Sequence, residues 1–231
     1  MLKLPSLAEM LDAGVHFGHR ESKAHPKMKP YVYTVSNGVQ VINLAETARE
    51  LKKATDFVTN LAKEGKTVLF LGTKAQVKKM IEENAQRAEL PYVVNRWIGG
   101  TMTNFEMVSK QIKKFKKMLK ESTTDAWDKY TKKEKSALQE EMEKLQRIFG
   151  GVQNLEKTPD AIFLIDCRRE KNAFAEAIKC RIPIIALVDT NTNPEKVAYP
   201  IPANDDGVNS LKMIIKLIAD AYIDGKNEAK K

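Results

Sequence analysis

Short, nearly unbroken apolar runs alternate along this chain with longer stretches in which apolar positions return every third or fourth residue. The runs are 39–44, 67–71, 92–94, 161–165 and 184–188; the periodic stretches are 45–63, 75–88, 172–179 and about 207–223. A strand that stays apolar at successive positions is buried on both faces, and single helices between such strands make parallel crossovers. The pattern therefore predicts an α/β fold in which helices cover both sides of a parallel sheet.

The rhythm breaks after the third run. Phe105, Val108, Ile112, Phe115 and Leu119 recur at spacings of three and four, and so do Leu138, Met142, Leu145 and Ile148. Two amphipathic helices joined across 122–131 are expected to bury their narrow stripes against each other as an antiparallel hairpin. The expected organisation is an α/β domain from 1–104 and 150–225, a helical insertion over 105–149, and a polar tail over 226–231.

Charge adds a class of partner. Thirty-nine Lys and Arg against thirty Asp and Glu leave a net charge of +9. An excess of that size favours a polyanion, because each neutralised phosphate releases condensed counterions; an inert basic surface is the plainer alternative. The opening residues carry Pro5 and Glu9 where a signal peptide needs an unbroken apolar core. The longest apolar run, 182–188, is interrupted by Pro183 and too short to cross a bilayer. No membrane partner is expected. Cys167 and Cys180 read as reduced packing residues.

The candidate chemistry belongs to binding. Arg96-Trp97-Ile98-Gly99-Gly100-Thr101-Met102-Thr103-Asn104 combines a planar cation, an aromatic face, two turn-forming glycines and small polar groups, with no acid, thiol or histidine to react. His16, His19 and His25 fall among Arg20, Lys23, Lys27 and Lys29. This reads as a basic RNA-contacting loop with stacking groups; a structural loop, or a metal seated by His16 and His19 at helical spacing, are the alternatives. Gly72-Thr73-Lys74 opens a helix after a strand, where free amides and a lysine suit a phosphate, although a plain helix cap explains it as well. Neither GxxxxGK[ST] nor GxGxxG is present, so no nucleotide cofactor is expected. Asp166 and Asp189 end apolar runs, and parallel strands share one carboxyl rim. With Asp205, Asp206 and a returning His16 they could gather around Mg or Zn, or simply cap the turns. Lys110, Lys113, Lys114, Lys116, Lys117 and Lys120 make the first hairpin helix basic, either as a solvated face or as a nucleic-acid contact.

Several segments together resemble the bacterial second small-subunit ribosomal protein family. They are Gly14-Val15-His16-Phe17-Gly18-His19, Pro26-Lys27-Met28-Lys29-Pro30-Tyr31, Leu71-Gly72-Thr73-Lys74, the 96–104 segment, Pro159-Asp160-Ala161, Ala186-Leu187-Val188-Asp189-Thr190-Asn191 and Ile201-Pro202-Ala203-Asn204-Asp205-Asp206. Their order covers nearly the whole chain. Two positions depart from the family's usual pattern: Ala24-His25 stands where Trp-Asn is common, and Ala203 where Gly is usual.

The resemblance implies a three-layer, flavodoxin-like or Rossmann-like parallel sheet bearing a coiled-coil arm. It implies a cytoplasmic, non-enzymatic protein bound to small-subunit rRNA near the head–body junction. Expected partners include neighbouring small-subunit proteins, among them the large multi-OB-fold first protein. On this reading Arg20, Lys27, Lys29, Lys74 and Arg96 contact phosphates, His16, His19, Trp97 and Asn104 shape or stack the surface, and Lys113 and Lys117 extend it along the arm. No cofactor is required and no small-molecule substrate is expected, a structural Mg or Zn on His16, Asp189, Asp205 and Asp206 being the one candidate ion. The rival is a Rossmann-like enzyme using Asp166, Asp189 and Asp205 with a cation on a phosphorylated metabolite; a protein-only scaffold is the third class.

Overall fold

A computed structural model describes residues 3–128 and 130–229. The chain opens with helix α1 (Leu7–Asp12), set by a capping box in which Ser6 and Glu9 satisfy each other's backbone amides. Strands β1 (Phe17–Arg20), β2 (Val32–Ser36) and β3 (Val39–Ile42) then form a small antiparallel sheet in the order β1-β3-β2. The expectation that 39–44 belongs to the parallel sheet is corrected here. Asn37 and Gly38 both have positive φ, 50° and 75°, and turn β2 back onto β3 as a tight hairpin. His16 and His19 consequently flank and occupy a strand, so the helical metal spacing does not arise.

Helix α2 (Leu44–Lys63) leads into the main sheet, made of β4 (Val68–Leu71), β5 (Tyr92–Val93), β6 (Ala161–Leu164), β7 (Ile184–Val188) and β8 (Tyr199–Pro202). All pairs are parallel, in the order β5-β4-β6-β7-β8. Counting only these strands, that is the 2-1-3-4-5 order of the doubly wound flavodoxin type. The fifth strand was not expected, because Pro200 and Pro202 interrupt its apolar pattern; as the edge strand β8 can do without their amides.

The two-residue period of the strands divides the core. Val68, Phe70, Phe163, Ile185, Leu187 and Ile201 point to one face, under α2, α3 (Lys78–Ala88) and α7 (Val208–Glu228). Leu69, Leu71, Ile162, Leu164, Ala186 and Val188 point to the other, under α6 (Lys171–Lys179) and the base of α4 (Phe105–Ser122). Helices thus cover both faces. Helix α5 (Lys132–Phe149) runs beside α4, with Lys114 of one 2.6 Å from Glu141 of the other. The stripe of α4 is not spent on α5 alone: Val108, Ile112 and Phe115 join the second core, and Phe115 is fully buried.

The polar tail expected from 226 begins later, since α7 continues through Lys226 to Glu228 and Lys226 pairs with Glu89; Lys230 and Lys231 lie outside the described residues. Among the described residues no helix is long and apolar enough to cross a membrane. Cys167 is buried, which pushes its thiol up to about 12, and neither cysteine is in a disulfide.

Candidate nucleic-acid interface

Because the strands are parallel, the segments that follow β4, β5, β6, β7 and β8 all emerge at one edge of the sheet. Those segments hold Gly72-Thr73-Lys74, the 96–104 loop, Asp166, Asp189 and Asp205-Asp206. The first loop is stitched to the same edge. His19 N donates to Thr190 Oγ1 at 2.9 Å and His25 N to Thr190 O at 2.8 Å. Gly18 has to be glycine there, since a Cβ would lie 2.6 Å from Thr190 Cγ2 and 2.9 Å from Gln40 O.

The centre of this edge is an internal charge cluster. Lys74 Nζ stands 3.1 Å from Asp166 Oδ2, 3.0 Å from Asp205 Oδ1 and 3.0 Å from Asp206 Oδ1. Burial pulls this ammonium down, and the attraction of Asp205 and Asp166 more than reverses it, holding Lys74 protonated well above the usual lysine range. A phosphate at Lys74 would have to compete with three carboxylates that already hold its ammonium inside the fold. Beside it, Glu170 accepts from Thr73 N at 3.0 Å and from Thr73 Oγ1 at 2.5 Å, so that turn is also closed.

His19, not His16, faces the aspartates. Its Nδ1 is 3.1 Å from Asp189 Oδ1 and its Nε2 is 3.6 Å from Asp206 Oδ2, and the bond to Asp189 raises its pKa above the ordinary histidine value. Burial and then Asp189 push Asp205 up to about 7. Ligand-capable atoms of His19, Asp205 and Asp206 lie within 4.8 Å of one another. The expected cation set is therefore rearranged, and Lys74 already supplies a positive charge within it. His16 instead packs on Phe17, ring centroids 4.0 Å apart, beside an open apolar groove with Leu7, Leu11, Tyr33 and Leu44.

The 96–104 loop divides into an inner and an outer side. Trp97, expected to shape or stack the surface, is 8% exposed and joins the second core; its Nε1 donates to Glu176 Oε1 at 3.0 Å. Gly100, at φ +92°, turns its amide to the same oxygen at 2.9 Å, while Met102 N and Thr103 N reach Oε2 at 3.1 and 3.3 Å. Burial alone would raise the Glu176 carboxyl, but these donors, Trp97 first, hold it below the usual range. Arg96, Gly99 and Asn104 remain at the surface, and Asn104 makes no capping bond to α4.

Arg20, Lys27 and Lys29 also face outward, around the fully buried Met28 that anchors the Pro26–Tyr31 turn. Lys27 is engaged by Glu195 at 2.6 Å, while Arg20, Lys29 and Arg96 have no ion pair among the described residues. On α4, Lys113, Lys116 and Lys120 are exposed and unpaired in the same sense, off the buried stripe of the helix; Lys117 lies 3.7 Å from Glu121. Glu176 was missed from sequence, and Thr190 entered only as part of the 186–191 segment, with no role of its own. Each acts on a segment distant in the chain, and neither carries a local signature.

The family model for "Ribosomal protein S2" matches residues 10–225. The chain belongs to the ribosomal protein S2 family. It is a structural protein of the small ribosomal subunit, serving translation, and the family is not one of enzymes. A curated relative, "Small ribosomal subunit protein uS2" of Coprothermobacter proteolyticus, is 44% identical over 221 residues, covering 96% of this chain and 82% of the relative. Ala203 has no positive φ and is fully buried, so no glycine is needed there for a left-handed turn.

Proposed function

We propose that this chain binds small-subunit rRNA through the outward cations around the carboxyl edge of its sheet, chiefly Arg20, Lys29 and Arg96, and through the lysine ridge of α4. The observation that carries the reading is the sorting of charge. Lys74 is neutralised within the fold, whereas Lys113, Lys116, Lys120, Arg20, Lys29 and Arg96 are left outward without an acidic partner among the described residues. Free cations on a protein of net charge +9 suit a phosphate backbone.

Placement near the head–body junction, support of subunit assembly in the cytoplasm, and recruitment of the multi-OB-fold first protein belong to the same proposal. The protein-binding part rests on a separate surface. Leu7, Leu11, Phe17 and Val35 are exposed, and Tyr33 is 74% exposed, around the groove beside His16.

Binding of an rRNA fragment across a salt series tests the RNA half. Arg20→Ala with Lys29→Ala is expected to weaken binding at every salt and to flatten the dependence of log K on log salt by about 0.7 to 0.9 per phosphate lost. Unchanged slope and affinity would remove the sheet edge from the interface.

A further inference from the structure

The 97–103 segment builds a seat for an anion and fills it from within. Five donors converge on one carboxylate. Trp97 Nε1 and Gly100 N serve Glu176 Oε1 at 3.0 and 2.9 Å; Met102 N, Thr103 N and Thr103 Oγ1 serve Oε2 at 3.1, 3.3 and 3.2 Å. Successive backbone amides of this kind, beside a glycine with positive φ, are the arrangement that elsewhere cradles phosphate. Here the carboxylate comes from α6, a helix fixed to the sheet by fully buried Ala173 and Ala177.

Other bonds of the segment are internal. Thr101 Oγ1 and N reach Ile98 O at 2.6 and 3.2 Å, and Asn104 N reaches Gly100 O at 2.7 Å. Among the described residues, Glu176 is thus the polar tie between 97–103 and the rest of the fold. An RNA phosphate arriving at these amides would meet a like charge already seated. Arg96 and Asn104, at the two ends of the loop, keep their side chains free.

We infer that Glu176 is a positioning residue for RNA binding: it closes the loop's amides to phosphate and holds the 96–104 segment so that Arg96 presents its guanidinium to the rRNA backbone. The inference rests on the proposed rRNA-binding role of Arg96. Glu176 itself touches no nucleic acid; a neutral side chain of the same size would leave donors opposed by an amide NH2 and release the loop.

The test compares R96A, E176Q and the double variant of the full chain for affinity to an rRNA fragment at two salt concentrations, with urea unfolding of each. R96A is expected to weaken binding about three- to tenfold and to lower the salt slope by about one contact. E176Q is expected to do the same without touching a cation, and the double variant to lose no more than either alone, because both remove one contact. Formate added to E176A is expected to restore part of the affinity by refilling the seat, which a general loss of stability would not allow.

If R96A weakens binding while folded E176Q does not, or if the two effects add in full, the positioning role is overturned and the RNA role of Arg96 stands. If R96A itself changes nothing, both fall. Should E176Q fail to fold, T103V removes one donor from the same seat; binding as tight as the parent's would then count against the inference.

Discussion

Lys74 Nζ lies 3.1 Å from Asp166 Oδ2, bridging the ends of β4 and β6, the point where the chain's winding over the sheet reverses. Open α/β sheets keep their ligands at this crevice. In this chain it is filled by an ammonium and its acids, so the enzyme-like reading loses the place where a phosphorylated metabolite would sit. The binding surface moves outward, to the loops that surround the cluster.

Lys74→Met is therefore expected to act on stability rather than on RNA. It leaves Asp166 and Asp205, both largely buried, without their counter-ion. Removing one member of a buried ion pair costs about 3–5 kcal/mol. Urea unfolding should show that loss, and the folded variant should keep the parent's salt slope for rRNA. A change below about 1 kcal/mol together with a flatter slope would return Lys74 to the RNA-contacting set.

The same cluster makes stability fall as pH rises. Asp205 is raised from 3.8 to about 7 by burial and by Asp189, and His19 is raised above 6.5 by its bond to Asp189. Each group binds its proton more tightly folded than unfolded. The stabilisation is complete below the unfolded values and lost as pH climbs through the folded ones, at up to about 1.4 kcal/mol per pH unit for each proton. Denaturation from pH 5 to 8 isolates the effect, because the lowered carboxylates, Glu176 and Asp160 among them, act only at more acid pH. Asp205→Asn is expected to flatten the profile; an unaltered slope would show that the cluster does not titrate in this window.

What could be read from sequence follows from how local each signal is. Strands buried on both faces leave continuous apolar runs, so β4, β5, β6 and β7 were visible, while Pro200 and Pro202 hid β8. Asn37-Gly38 carries a local hairpin signal that reading 39–44 as a parallel strand left out, and β3 belongs instead to the small antiparallel sheet. The shared rim of Asp166, Asp189 and Asp205 was legible because parallel strands end together. The fates of Lys74 and Trp97 were not. Both depend on acids supplied by distant segments, Asp205 and Glu176, and a cation or indole looks the same in sequence whether its partner is internal or a nucleic acid.

Gly225→Ala separates helix propensity from packing. Alanine favours a helix interior over glycine by about 1 kcal/mol, yet a Cβ at 225 would lie 2.3 Å from Thr59 O and 2.8 Å from the Ala62 Cβ. Helix α7 crosses α2 there at a distance only a hydrogen permits. Overpacking of this kind costs about 1–3 kcal/mol, so the substitution is expected to destabilise on balance in urea unfolding. A stabilised variant would mean that the two helices can separate without loss.

Trp97 provides the sharpest discrimination between an internal and an external aromatic. Its ring packs in the core under the sheet and its Nε1 is bonded to the Glu176 carboxylate, leaving no face for a base. Trp97→Phe keeps most of the apolar contact and removes one of five donors to a charged acceptor, so it is expected to cost about 1–2 kcal/mol. The chain's other tryptophan, Trp127, sits on the link between α4 and α5, and a Trp127→Phe background leaves Trp97 as sole emitter. Its emission should then be blue-shifted, poorly quenched by iodide and unmoved by rRNA. Quenching that rises with bound RNA would place the indole on a base and require the loop to turn inside out, releasing Glu176 from the seat that now holds it.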